Sequence, residues 1–311
     1  MADTGLADLF VTQYKTLLNL KLQQKMSDLR GKVENGSHSG SKLASPINLV
    51  SAMALKTPEG RFSPKQNTPA DYERRWVMPI DKEGDQLVDN FDQLKTPIDP
   101  KSKLVERAAA AVARSFDDEI IRAATATATI GADAGSLTTE TFNTTNFQIA
   151  AAFGAGAAVG LTVAKLNEAR RILEKYHNTE ELNSSDGATL AIGSSQHADL
   201  RNQALVTSSD FNQQGGILEN GVVRRFMGFD IVVSERLPVV STNTRGCILF
   251  VKSGMYLGMW QDIKTQVAQR FDLSSNPWDI STVVSFGATR TEAGKVIQIL
   301  AADTSGVDIT P

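Results

Sequence analysis

The stretch from Asp99 to Ala126, DPKSKLVERAAAAVARSFDDEIIRAATA, reads as one long helix. Asp99 can accept from the exposed amides of the first turn, and Pro100 falls at the first helical position, where its missing N–H costs nothing. Ala108–Ala111 then repeats the strongest helix former. Leu104, Ala108, Ala111/Val112, Ser115/Phe116, Ile120 and Ala123 recur every three or four residues as a narrow apolar seam. Lys103, Glu106, Arg107, Arg114, Asp117, Asp118 and Arg122 fall on the opposite side. About 25 residues at ~1.5 Å each span roughly 37 Å. Such a rod suits a beam between elements, and it also suits the buried core helix of an enzyme. This stretch alone leaves both open.

Composition narrows the classes. A chain of 311 residues with 41% hydrophobic and 22% charged residues is an ordinary soluble protein with ample core. A formal net charge of −3 argues against a surface built to grip phosphates. The single cysteine, Cys247, excludes a disulfide framework and a cysteine-rich metal site, and it suits a reducing compartment. MADTG leads into an amphipathic stretch, with no apolar signal core before a small-residue cleavage site. Phe147–Ala164 is too rich in Ala and Gly to favour a membrane span, so it reads as buried or interfacial. Synthesis in the cytoplasm and no membrane partner are expected.

Along the chain, Leu6, Leu9/Phe10, Tyr14, Leu17/Leu18, Leu22, Met26 and Leu29 predict an amphipathic helix over Leu6–Arg30, ended by Gly31. Val33–Leu43, VENGSHSGSKL, reads as a flexible linker. A helix on such a tether must bury its apolar side on something, and Tyr14 and Leu18 could face a partner subunit. Arg74–Ile80 and Gln86–Val88 read as strands joined by a turn at Lys82–Asp85, with Pro79 demoting the first to an edge. That two-stranded ribbon is charged, long and too poor in apolar face to stand alone. Thr127–Thr145 reads as a soft stretch. Thr162 caps a helix over Val163–His177. Strands are expected at Ala188–Ile192, Phe229–Val233, Cys247–Val251, Ile263–Arg270, Thr282–Phe286 and Val296–Leu300, with a short helix over Ser195–Ala204. The fold class is α+β, with no βαβ rhythm and no internal repeat.

No constellation of residues makes an active site. Gly154, Gly156 and Gly160 precede a helix, but the third glycine is one residue late for a dinucleotide loop and the segment before is Ala-rich. Flexible or closely packed backbone fits better. His38 falls in the linker and His177 at a helix end. His197, in SSQHAD, reads as a surface histidine, and no two histidines have metal-ligand spacing. Asp117, Asp118 and Glu119 point to different sides of a helix, as a solvated or ion-paired face. Arg74, Arg75 and Trp76 could stack on and neutralise nucleic acid. Beside Asp81, Glu83, Asp85 and Asp89, a salt bridge between subunits fits them better. Charge reversal at both arginines is then expected to spare the fold and impair assembly, and deletion of residues 1–30 to hurt assembly more than folding.

Taken in order, these parts resemble tailed-phage major capsid proteins of the Hong-Kong-ninety-seven fold. Tyr72-Glu73-Arg74-Arg75-Trp76 carries the resemblance, leading into Asp89-Asn90-Phe91-Asp92 and the helix containing Arg114–Ile121. So do Gly215–Gly221 with Phe226–Pro238, and Ile263–Val267 with Ser285–Arg290. The resemblance implies an N-terminal arm over 1–45 and an extended β-hairpin loop within 46–90. It implies a peripheral domain with a long spine helix over 91–127 and 262–280, and an axial domain over 128–261 and 281–311. Arg270 and Trp278 then join Arg74, Arg75, Trp76, Glu83, Asp85, Asp89, Tyr14 and Leu18 as candidates for contact between subunits.

The implied function is a non-enzymatic shell of hexamers and pentamers around double-stranded DNA, without catalytic, cofactor or metal residues. Implied partners are sister copies, a scaffolding protein, a portal, DNA contacted without sequence specificity and, where the virus carries one, a decoration protein. Only about 45 residues precede the loop, so a separate scaffolding protein is expected. Lys65 and Asn67 do not suffice to infer a covalent cross-link. An encapsulin-like cellular shell, a nucleotide-binding oxidoreductase and a tail or tube component are the alternatives.

Overall fold

A computed structural model of the chain describes residues 23–50, 53, 55–57, 60–62, 64, 67–89, 101–176, 179–182, 187–203, 218–219, 222–241 and 243–303. The elements in order are β1 (Glu34–Ser37), β2 (Ala44–Val50), β3 (Tyr72–Val77), β4 (Ile80–Val88), α1 (Lys101–Thr125), β5 (Ala128–Ile130), β6 (Thr138–Glu140), α2 (Thr144–Phe147) and β7 (Gln148–Ile149). Then come α3 (Val163–Lys175), α4 (Thr179–Leu182), β8 (Ala188–Ile192), α5 (Ser194–Arg201), β9 (Leu218–Glu219), β10 (Val222–Val223), β11 (Arg225–Phe226) and β12 (Phe229–Val233). β13 (Val239–Ser241), β14 (Thr244–Val251), β15 (Met255–Gln269), β16 (Trp278–Arg290) and β17 (Val296–Ala302) complete the chain. The α+β class expected from the sequence is the one observed.

The residues fall into two compact units. The larger contains 27–81, 114–262 and 285–303 of the described chain, and its core lies on a seven-stranded sheet ordered β11-β12-β8-β14-β17-β7, with β13 on β14. β8 is buried at every position, as the apolar run Ala188–Ile192 predicts for a central strand. Thr162 caps α3 through its side chain, which accepts from the Lys165 N–H. Leu166, Ala169, Ile172 and Leu173 of α3 lie in the same core cluster as Leu190, Leu249, Ile297 and Ile299. Each fully buried leucine there contributes about 1.5–3 kcal/mol.

A second sheet in this unit is ordered β2-β3-β5-β6. Two expectations change here. β3 is flanked by β2 and β5 on its two sides, so it is no edge strand. No turn interrupts Lys82–Asp85 either. β4 runs straight through it, and the break falls at Met78–Pro79, where the proline has no N–H to donate. The two strands therefore enter different sheets, β4 joining β16 at the end of the order β1-β15-β16-β4. The soft stretch at 127–145 is likewise structured, carrying β5, β6 and the start of α2.

The expected linker at 33–43 is also corrected. Glu34–Ser37 pairs in parallel with Tyr256–Met259, His38 donates its N–H to the Met259 carbonyl at 2.8 Å, and Trp260 Nε1 reaches the Ser41 carbonyl at 2.6 Å. Its small residues reflect close approach: a Cβ on Gly36 would lie 1.7 Å from the Tyr256 hydroxyl. Of the expected helix over Leu6–Arg30, residues 1–22, with Tyr14 and Leu18, lie outside the described residues. Residues 23–29 are not helical, and only Arg30–Lys32 forms a short 3-10 turn. Asp117 takes the Ser27 hydroxyl and the Asp28 and Leu29 N–H groups that a helix would have used.

The smaller unit comprises 23–26, 82–89, 101–113 and 263–284 of the described chain. Within it, Lys25 pairs with Glu106 at 2.8 Å, and Arg107 donates to the Gln86 side-chain oxygen at 3.0 Å. The α1 helix is continuous for 25 residues, as its sequence requires, with Asp99 and Pro100 outside the described residues. Its seam is shifted from the expected one: Ala110 is buried and Ala111 exposed, and Asp117 and Glu119 are buried where a polar face was expected.

Candidate assembly surface

A shell subunit must present surfaces that gain by being covered. The alternation of β3 sends its arginines to different fates. Arg75 is 5% exposed and ion-paired to Glu140 on β6, with Glu73 as a second acidic neighbour at 3.4 Å. Trp76 Nε1 donates to the Gly131 carbonyl at 2.9 Å. Both find partners inside their own chain, Arg75 in Glu140 and Glu73 and Trp76 in Gly131. Arg74 differs, lying half-exposed with its nearest acid, the exposed Asp133, at 3.9 Å. Reversing Arg75 would strand a buried charge, which reversal at the exposed Arg74 would not.

Glu83 and Asp85 are exposed on β4, and Leu87 beside them is 50% exposed. Asp89 accepts from the Ser275 hydroxyl at 2.7 Å. In the same unit the loop 270–277 joins β15 to β16. Arg270 at its base makes paired contacts of 2.8 and 2.6 Å to Asp272 and lies 3.5 Å from Asp279. Hydrogen bonding to Arg270 holds the Asp272 carboxyl down at about 2. These charges hold the loop, in which Phe271 is 76% exposed. Trp278 is half-buried at the start of β16. Sequence reading passed over Phe271 because one aromatic among charges and turn residues has no periodicity to mark it. In the larger unit Leu55 and Phe62 are exposed as well, and so is Tyr72.

The residues weighed for catalysis are used structurally. Gly160 packs so tightly that a Cβ would lie 2.0 Å from the Asp199 carboxylate, which accepts the Leu161 N–H at 3.0 Å. The mouth of the glycine loop is filled by Lys165, fully buried, whose ammonium reaches the carbonyls of Ala151, Val159, Gly160 and Leu300 at 2.7–3.0 Å. Burial lowers its pKa to about 8. Asp118 pairs with Arg236 and Glu119 with Arg122, the ion-paired reading of that acidic run. His197 is buried, contrary to the surface reading. Cys247 is buried, and burial pushes its thiol up to about 12, which makes it inert.

A family model described as phage capsid protein matches residues 6–303. The chain belongs to the phage capsid protein family. No curated protein sequence matches it. Among solved structures, the capsid of cyanophage P-SCSP1u is 16% identical with a TM-score of 0.68, over 97% of this chain and 95% of that one. The capsid of Ralstonia phage GP4 is 10% identical with a TM-score of 0.68, over 97% and 96%. A capsid structure of Helicobacter pylori bacteriophage KHP30 is 10% identical with a TM-score of 0.69, over 98% of each chain. The capsid protein thus has the tailed-phage capsid fold and a structural role in a virion shell.

Proposed function

We propose that this capsid protein assembles as hexamers and pentamers into an icosahedral shell that encloses double-stranded DNA, and that it carries no catalytic activity. The family match across residues 6–303 carries the reading. The exposed Phe271 and the exposed charges of Arg74, Glu83 and Asp85 support it, because heterologous contacts around rotation axes would cover them. In this reading 1–45 is the arm, 46–90 the extended loop, 91–127 with 262–280 the peripheral domain and 128–261 with 281–311 the axial domain. Tyr14 and Leu18 of the arm join Asp89, Arg270 and Trp278 at subunit contacts. Arg74, with Arg75 and Trp76 beside it on β3, belongs to the same contacts. Assembly takes place in the host cytoplasm with a separate scaffolding protein and a portal, and with a decoration protein where the virus has one. A mildly acidic chain suits a DNA container, since a strongly basic inner wall would hold the genome too tightly.

Size-exclusion chromatography followed by electron microscopy of the purified chain tests this. Closed particles of hexamers and pentamers are expected, whereas tubes would indicate a tail component. A small oligomer whose melting temperature rises clearly with added dinucleotide would revive an enzyme.

A further inference from the structure

His197 lies on α5 with 7% of its surface exposed, and its Nε2 accepts the N–H of Val223 at 3.2 Å. Accepting there places the imidazole proton on Nδ1. Val223 belongs to β10, which pairs with β9 through Val222↔Glu219 and Val223↔Leu218. Its side chain is buried in a small cluster with Val163 of α3, flanked by Phe226, Met227 and Ile231. The imidazole is therefore a polar tie between α5 and β10, beside van der Waals contact with Val163 of α3. On the next residue the Arg224 carbonyl accepts the Ile231 N–H at 2.8 Å and fastens the chain to β12.

The tie exists for one protonation state only. An imidazolium has no lone pair at Nε2, and its new N–H would point at the N–H of Val223. On α5 the charge acting on the ring is Arg201, four residues on and of the same sign as an imidazolium. Asp199, the nearest acid along α5, accepts the Leu161 N–H. From β10 the ring meets backbone, and the Val163 cluster beside it is aliphatic and aromatic.

We propose that His197 is an acid-sensitive latch, whose protonation breaks the bond to Val223 and frees the β9–β10 hairpin from α5. Burial, then the Arg201 charge, hold the imidazole below its ordinary value while the hairpin is docked. An undocked ring has the ordinary histidine pKa near 6.5, so it takes the proton more readily. The sign follows: the docked state is favoured at neutral pH and loses ground as pH falls below about 6.5.

Hydrogen exchange of the Val223 amide, corrected for intrinsic rate, tests the latch on the unassembled chain. Between about pH 7.5 and about pH 5 its protection should fall more than about fivefold, with a ceiling of about 30-fold for a ring that takes its proton only when undocked. The His197→Gln variant offers a carbonyl oxygen that never titrates, so its protection should not change with pH. In the wild type, NMR titration of the His197 ring should give a midpoint below about 6.5, with Val223 protection already falling above that midpoint. Constant wild-type protection, an equal fall in the glutamine variant, or a ring that titrates at or above about 6.5 would each overturn the proposal.

Discussion

Asp117 accepts a 2.5 Å hydrogen bond from the hydroxyl of Ser27, fastening the segment before β1 to the long helix. The same carboxylate also takes the N–H groups of Asp28 and Leu29 at 3.2 Å, and Leu29 is fully buried. Asp117→Ala strands these donors and should cost about 2–4 kcal/mol, read from the urea denaturation midpoint. Asp117→Asn keeps one acceptor oxygen and should cost less. Deleting residues 1–30 removes Ser27 and Leu29. It should therefore destabilise the fold, whereas deleting residues 1–22 should leave the midpoint unchanged and lower particle yield.

Adjacent arginines on β3 should respond differently. Arg75→Met leaves Glu140 without its partner at a mostly buried site, and about 3–5 kcal/mol of stability should be lost. Arg74→Glu acts at an exposed position, so stability should change by less than about 0.5 kcal/mol. Particle counts by electron microscopy should nevertheless drop for Arg74→Glu. Wild-type counts would remove Arg74 from the subunit contacts.

Lys165 has a pH signature of defined sign. Its folded pKa is about 8 against an ordinary 10.5, so the unfolded chain binds more protons between those values. Stability from this group should rise with pH across that window and be flat below it. The difference in melting temperature between wild type and Lys165→Met should therefore change between about pH 8 and 10.5 in the wild type's favour. At neutral pH the methionine variant should still be less stable, by about 2–4 kcal/mol, because the carbonyls around the ammonium lose their shared donor.

Two glycines on neighbouring strands give a paired test of close approach. A Cβ on Gly287 of β16 would lie 2.1 Å from the backbone oxygen of Met78, and that oxygen cannot swing away like a side chain. Gly287→Ala should cost about 1–3 kcal/mol in chemical denaturation. Nothing lies within 4 Å of a Cβ on Gly84. Gly84→Ala should be neutral, or stabilising by up to about 1 kcal/mol through the unfolded chain's entropy.

The sequence by itself determined what depends on near neighbours along the chain. Periodicity located α1 and, with the Thr162 cap, α3, and an unbroken apolar run located β8, each almost to the residue. Only the tertiary structure decided the partners of isolated polar and small residues. Ser27 lies 90 positions from Asp117, Lys165 135 from Leu300, and Gly36 is pressed against Tyr256 on another strand. Hydrogen-bond satisfaction and close packing act between groups that meet only after folding, so a glycine-rich strand looks like a tether and a buried aspartate like a solvated one until its neighbours arrive.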